Sequence, residues 1–269
     1  MRAICPKCNS SHVSKKGVVY SKGFECNMQR YKCVGCCKQF QVPRESPKVD
    51  IPKILLFDIE TAPMEVYVWG LYKQFIPHTN IIKDSKGEEK SWYVLSWAAK
   101  WLYDENVVSD IVTPEETKTR DDKRVLQSIW KLLDEADIVI GHNGDRFDLR
   151  KLNARFIDND IKPPSPFKTI DTLKVARREF AFVSYKQDYL TKHFKLEQKL
   201  STNFQLWVDC IHGDQEQLDK MEEYNRHDVM GLEEVYLKLR PYIKNHPNLG
   251  VLMDGDVCPN CACEFLDET

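Results

Sequence analysis

The run Lys53-Ile-Leu-Leu-Phe-Asp-Ile-Glu60 constrains the fold of this chain more than any other segment. Its apolar residues fill both faces of an extended chain, which marks a central strand of an α/β sheet. Side chains two apart on a strand share a face, so Asp58 and Glu60 project together. Two carboxylates near the end of a buried strand are costly unless something compensates them.

Two further motifs supply acids. Ala136-Asp-Ile-Val-Ile-Gly141 reads as a second apolar strand, followed by a short loop, Phe147 and Asp148. That places Asp148 at or near the start of a helix running through residues 149–157. In residues 222–239, Val229, Leu232, Val235 and Leu239 recur at helical spacing. Residues four apart share a helix face, so Tyr224 and Asp228 point the same way. Each motif has a plainer reading: a surface pair, an N-cap, a solvated helix face with one packed aromatic. Together, in this order and on these elements, they read as one site. Four converging carboxylates repel one another without cations, and with two divalent ions such a set cuts phosphodiester bonds.

These motifs resemble those of the DEDD superfamily of 3′→5′ exonucleases, on the ribonuclease H-like fold. A Tyr four residues ahead of an Asp matches the tyrosine branch, DEDDy; the histidine branch needs a His at position 223, which is Glu223. Asn143-Gly-x-x-Phe147-Asp148 is similar to the second motif of family B polymerase exonuclease domains and of stand-alone, phage-type exonucleases. The resemblance covers about residues 51–243, with softer similarity at 94–102, 169–180 and 207–214. It implies two Mg²⁺ or Mn²⁺ ions. Asp58 would bridge them, Glu60 and Asp228 complete the first ion's shell, and Asp148 hold the second. Tyr224 would orient the attacking water, and Thr61 and Asn143 contact the terminal nucleotide. Lys100, Phe147 and His227 are further candidates for the site's lining, with core or surface roles as the alternative. The implied activity releases nucleoside 5′-monophosphates from single-stranded or 3′-end nucleic acid, DNA in preference to RNA. A role in DNA replication or repair beside a polymerase or replication protein in trans goes with it. Two other readings stand beside this one: a zinc-ribbon adaptor with a ribonuclease H-like platform, and an RNA-processing nuclease or endonuclease using the same acids.

The cysteines require a separate account. Cys5-Pro-Lys-Cys8 and Cys33-Val-Gly-Cys36 are two C-x-x-C pairs with the spacing of a zinc ribbon. Cys5, Cys8, Cys33 and Cys36 are expected to hold one structural Zn²⁺, since a module this small buries too little core without metal. Cys37 stands where such knuckles usually carry Gly. Cys258, Cys261 and Cys263 form another first knuckle with no second pair following. It reads as a remnant or partial site, its alternative partners being Cys26, Cys37, Cys210, His212 and His246.

The expected organisation is a ribbon at 1–42, a three-proline linker at 43–52, a catalytic domain at 53–243 and a tail at 244–269. Charge divides the same way: residues 1–50 carry a net +7 and the remainder −9. A basic head suits a polyanion. No apolar run reaches a membrane span and no signal-peptide pattern opens the chain, so a cytoplasmic protein is expected, in the host cytoplasm if viral. Strands are expected at 53–59, 92–101, 106–112, 137–142 and near 167–170. Helices are expected at 121–135, 147–158, 172–179, 186–194, 214–221 and 222–240. The fold class is therefore α/β, a mixed sheet flanked by helices. Residues 61–90, with Trp69, Tyr72 and Phe75, read as an irregular excursion covering the active site.

Overall fold

The structure, a computed structural model, describes residues 4–21, 26–43, 52–196 and 202–247. The interior of the expected linker, and Cys258, Cys261 and Cys263, lie outside these residues. The described residues divide into two units, one made of residues 4–43 and one of residues 52–247.

The first unit is a three-stranded antiparallel sheet of β1 (Val13–Ser21), β2 (Cys26–Cys33) and β3 (Gln39–Pro43), in that order. Among its described residues, the buried side chains are Cys5, Met28 and Cys33. Two of the three are thiols, so the interior of this unit is a sulfur cluster rather than an apolar core.

The second unit is built on a mixed five-stranded sheet. Its strands are β4 (Ile54–Thr61), β5 (Val94–Trp101), β6 (Val108–Ile111), β7 (Ile138–Gly141) and β8 (Lys168–Asp171), in the order β6-β5-β4-β7-β8. β6, β5 and β4 are antiparallel, whereas β4, β7 and β8 are parallel. The helices are α1 (Pro114–Thr119), α2 (Lys123–Glu135), α3 (Asp148–Asp158), α4 (Thr172–Glu179), α5 (Gln187–His193), α6 (Phe204–Ile211) and α7 (Gln215–Leu239).

β4 is the middle strand, and its alternation creates two cores. Leu55, Phe57 and Ile59 face one side, with α2, α3 and α6. Ile54 and Leu56 face the other, with α4, α5 and the main length of α7. Burying each such side chain contributes about 1.5–3 kcal/mol. Asp58 and Glu60 continue the alternation of Ile54 and Leu56, so they emerge on the face covered by α7.

Two helical expectations are corrected. The segments 214–221 and 222–240 are one helix, α7. Asp214 caps it by accepting from the Gln217 N–H (3.3 Å), and no Gly or Pro interrupts it between Met221 and Glu222. Residues 204–211, where no helix was expected, form α6, and α1 was also not expected. α1 is short, and it is set by a capping box between Thr113 and Glu116 with Pro114 at the first turn.

Candidate functional site

The acids meet where the sheet opens. β7 pairs with β4 as far as Leu56 opposite Ile140, then turns away after Gly141. The turn is tight: a Cβ on Gly141 would stand 3.1 Å from the Gly144 Cα, and one on Gly144 3.2 Å from the Gly141 Cα. Asn143 takes a left-handed φ of 68° in this turn, a conformation Asn tolerates well, and its N–H donates to Asp171 Oδ1 (3.0 Å). The chain then enters α3 with Asp148 as its first residue.

Asp148 is buried, and its Oδ1 accepts from the Ile59 N–H (3.1 Å). The carboxylate thus takes the place of a neighbouring strand beside β4. Burial pushes the Asp148 carboxyl up to about 7, against the opposing effect of the Ile59 amide.

Asp58, Glu60 and Asp228 bring carboxylate oxygens within 4.8 Å of one another. Asp148 lies outside that trio but lines the same cavity of about 660 Å³. Tyr224, one turn before Asp228 on α7, also lines it. Burial, followed by the charges of Asp228, Glu60 and Asp58, pushes the Tyr224 hydroxyl well above its ordinary range, so it stays protonated. Asn143 and Phe147 line the cavity; Thr61, at the end of β4, is not among its lining residues. Lys100 is not a lining residue either, being buried on β5 in an ion pair with Glu233 of α7. His227 is likewise absent from the lining.

Two supporting residues escaped the sequence reading. Asn225 is fully buried; its Nδ2 donates to Asp58 Oδ2 (2.7 Å), and its Oδ1 accepts from Ser96 Oγ (3.1 Å) on β5. It fixes one orientation of the Asp58 carboxylate. The signal was a polar residue in the register of the apolar stripe, between Met221 and Val229. Trp207 of α6 donates from Nε1 to Glu60 Oε2 (3.1 Å), and its ring meets Tyr224 edge-on at 5.9 Å. A lone Trp in a stretch where no helix was expected carried no comparable signal. The cationic residues Arg177 and Lys186 also line the cavity.

Residues 86–240 match the family model RNase_H_2, described as RNase_H superfamily. The chain belongs to the RNase H superfamily. The match spans more than half of the chain and begins beyond β4. No curated protein sequence matches this chain. Among solved structures, the family B DNA polymerase from the hyperthermophilic archaeon Pyrobaculum calidifontis is similar over 86% of this chain, with 17% identity and a TM-score of 0.49. This chain spans 29% of that polymerase chain.

The donor chemistry suits divalent cations. Three convergent carboxylates with a fourth beside them form an all-oxygen set, as hard cations require. The thiols of the first unit suit a softer ion. Cys5 Sγ stands 3.5 Å from Cys36 Sγ, and Cys8 Sγ 3.5 Å from Cys33 Sγ, with all four within 4.8 Å. Thiolates about 2.3 Å from a tetrahedral zinc stand about 3.8 Å from one another, so the set fits that ion. The two knuckles repeat one conformation: Asn9 and Cys37 follow them with φ of 53° and 60°, their N–H groups donating back to Cys5 O and Cys33 O. The backbone N–H of Cys36 is the main influence drawing the Cys33 thiol down to about 6. Among the described residues, no helix is long and apolar enough to cross a membrane.

Proposed function

We propose that the α/β unit is a DEDDy-type 3′→5′ exonuclease that hydrolyses terminal phosphodiester bonds of nucleic acid, DNA in preference to RNA, and releases nucleoside 5′-monophosphates. The observation that carries this reading is the convergence of Asp58, Glu60 and Asp228 within 4.8 Å, with Tyr224 lining the same cavity. Superfamily membership supports nuclease chemistry, and the tyrosine register selects the exonucleolytic form.

Asp58, Glu60, Asp148 and Asp228 would hold two Mg²⁺ or Mn²⁺ ions, which when bound supply Lewis-acid polarisation of the phosphodiester and neutralise its charge. Asn225 fixes the Asp58 carboxylate through one oxygen. Trp207 does the same for Glu60. The protonated Tyr224 hydroxyl orients a water among the acids, and Arg177 and Lys186 receive the anionic backbone of the strand. Thr61 and Asn143 are assigned to the terminal nucleotide. The first unit is a zinc ribbon with one structural Zn²⁺ on Cys5, Cys8, Cys33 and Cys36, and its basic charge suits nucleic acid.

The test is product analysis on labelled single-stranded DNA and RNA with Mg²⁺ and Mn²⁺, comparing a linear strand with its circular form. Stepwise mononucleotide release from the linear strand alone is expected. Asp58→Ala and Asp228→Ala should each lower the rate by about 10³-fold or more, since each removes a donor from the charge-stabilising set. Tyr224→Phe should slow hydrolysis while retaining binding. Cleavage of the circle, or unchanged activity in either alanine variant, refutes the reading.

A further inference from the structure

Between β4 and β5 the chain makes an excursion with no part in the chemistry above. Its base is firmly held. The Ala62 N–H donates to Tyr93 O (2.9 Å), Glu65 to Lys90 O (3.1 Å), Ile82 to Glu65 O (2.9 Å) and Tyr67 to Asn80 O (2.9 Å). The Glu65 carboxylate pairs with Lys90 (2.8 Å) and with Arg120. Above this base the side chains turn outward. Tyr67 is 69% exposed, Trp69 100%, Tyr72 85% and Phe75 92%, with Leu71 equally open. Four rings left in water within nine residues form an apolar patch of the kind that marks a binding surface.

Three observations identify the occupant. First, residues 66–83 contain no Asp or Glu, although acids make up 41 of the 269 residues, and they include Lys73, His78 and Lys83. The excursion's acids, Glu65, Asp84, Glu88 and Glu89, all lie outside the stretch that carries the rings, and a ring-bearing stretch free of acids suits a polyanion. Second, the exposed groups are mainly flat rings at short intervals, which offer π-faces to successive bases. Third, the excursion springs from Thr61 at the end of β4, directly after Glu60, which lines the acid cavity. Eight residues separate Thr61 from Trp69, a reach of at most about 28 Å. A strand whose end lies among the acids can therefore continue onto these rings.

We propose that the 62–93 excursion is a stacking platform for single-stranded nucleic acid, holding the strand several nucleotides behind the end that enters the cavity. The placement of that end rests on the exonuclease reading, whereas the platform is measured without hydrolysis. The full chain and a Trp69→Ala/Tyr72→Ala/Phe75→Ala variant are titrated into labelled four-nucleotide and thirty-nucleotide oligo(dT) without divalent ions, and Kd is read by fluorescence anisotropy. Release of dTMP with Mg²⁺ or Mn²⁺ is measured separately. The native chain should favour the longer strand by tenfold or more, and the variant should lose tenfold or more of that preference, because each stacked base contributes about tenfold. The three side chains are exposed, so the thermal transition should not move. An equal length preference in the two proteins overturns the platform. Ring-dependent binding without dTMP release sustains the platform and removes the exonuclease reading. Unchanged affinity for the long strand, with a concentration-dependent dimer lost in the variant by sedimentation velocity, assigns the tip to a second copy and likewise overturns the platform.

Discussion

The two units each gather a four-membered donor set, by opposite routes. In the first, Cys5 with Cys8 and Cys33 with Cys36 come from two local knuckles, and the fold around them is little more than their support. In the second, Asp58 and Glu60 come from β4, Asp148 from α3 and Asp228 from α7, elements far apart in sequence. There the apolar cores on both faces of the sheet come first, and the acids are a burden that those cores can carry. With the proposed ions, the site made of neighbours would depend on its ion for its fold, and the site made of distant elements on its fold for its ions.

Cys33→Ala should have the largest effect. Structural zinc in small modules is worth about 10–16 kcal/mol of folding free energy, so the ribbon should lose amide-exchange protection across β1–β3 and its single zinc. The α/β unit should melt as before. Transmission of the damage to the second unit would break the comparison.

Asp122→Ala addresses the other unit. This buried carboxylate accepts from the Val94 N–H (2.9 Å), from Arg155 Nε (2.8 Å) and Nη2 (2.7 Å), and from Asn159 Nδ2 (3.2 Å). Its removal leaves the Val94 amide and Asn159 without this acceptor and leaves the Arg155 guanidinium with Asp158 alone (3.1 Å), and it should lower stability by about 1–3 kcal/mol in denaturant unfolding.

Asn225→Ala lies between structure and chemistry. Loss of the bond to Asp58 should cost about 1–3 kcal/mol, read as weaker Mn²⁺ binding in titration calorimetry. Asn225→Asp should be worse than alanine, because it adds a charge against Asp58. Equal affinity in all three proteins would remove Asn225 from the positioning of Asp58.

Cys37→Gly should give the smallest change, and it is a gain. A non-glycine residue at φ 60° carries left-handed strain, so glycine should stabilise the ribbon by about 1 kcal/mol in zinc-competition assays.

The sheet was readable because its strands are apolar runs of Val, Ile and Leu, whose burial on both faces leaves few alternatives. The pairing of Asp58 with Glu60 and of Tyr224 with Asp228 followed from the periods of strand and helix alone. Local order without a strong apolar stripe did not declare itself. α1 depends on a capping box in a polar stretch, and α6 on contacts made by Trp207 and Leu206. α7 was divided at residue 222 because the change in its apolar pattern resembles a boundary, although no breaker is present. Asn225 shows the converse: a polar residue in an apolar stripe was visible, but its partner Ser96 lies 129 residues away.

β4 runs five residues past its last pairing with β7, and there the Ile59 amide is satisfied by the Asp148 carboxylate. An unpaired stretch inside a sheet is a template on which a stray strand can settle. The protein leaves this gap open for a ligand and closes it to strands with the same device. A carboxylate occupies the amide that an intruding backbone would need, and Asp58 and Glu60 surround the opening with charge that an apolar segment cannot approach. The groups assigned to cutting a polymer thus also occupy the edge on which a second strand would have to pair.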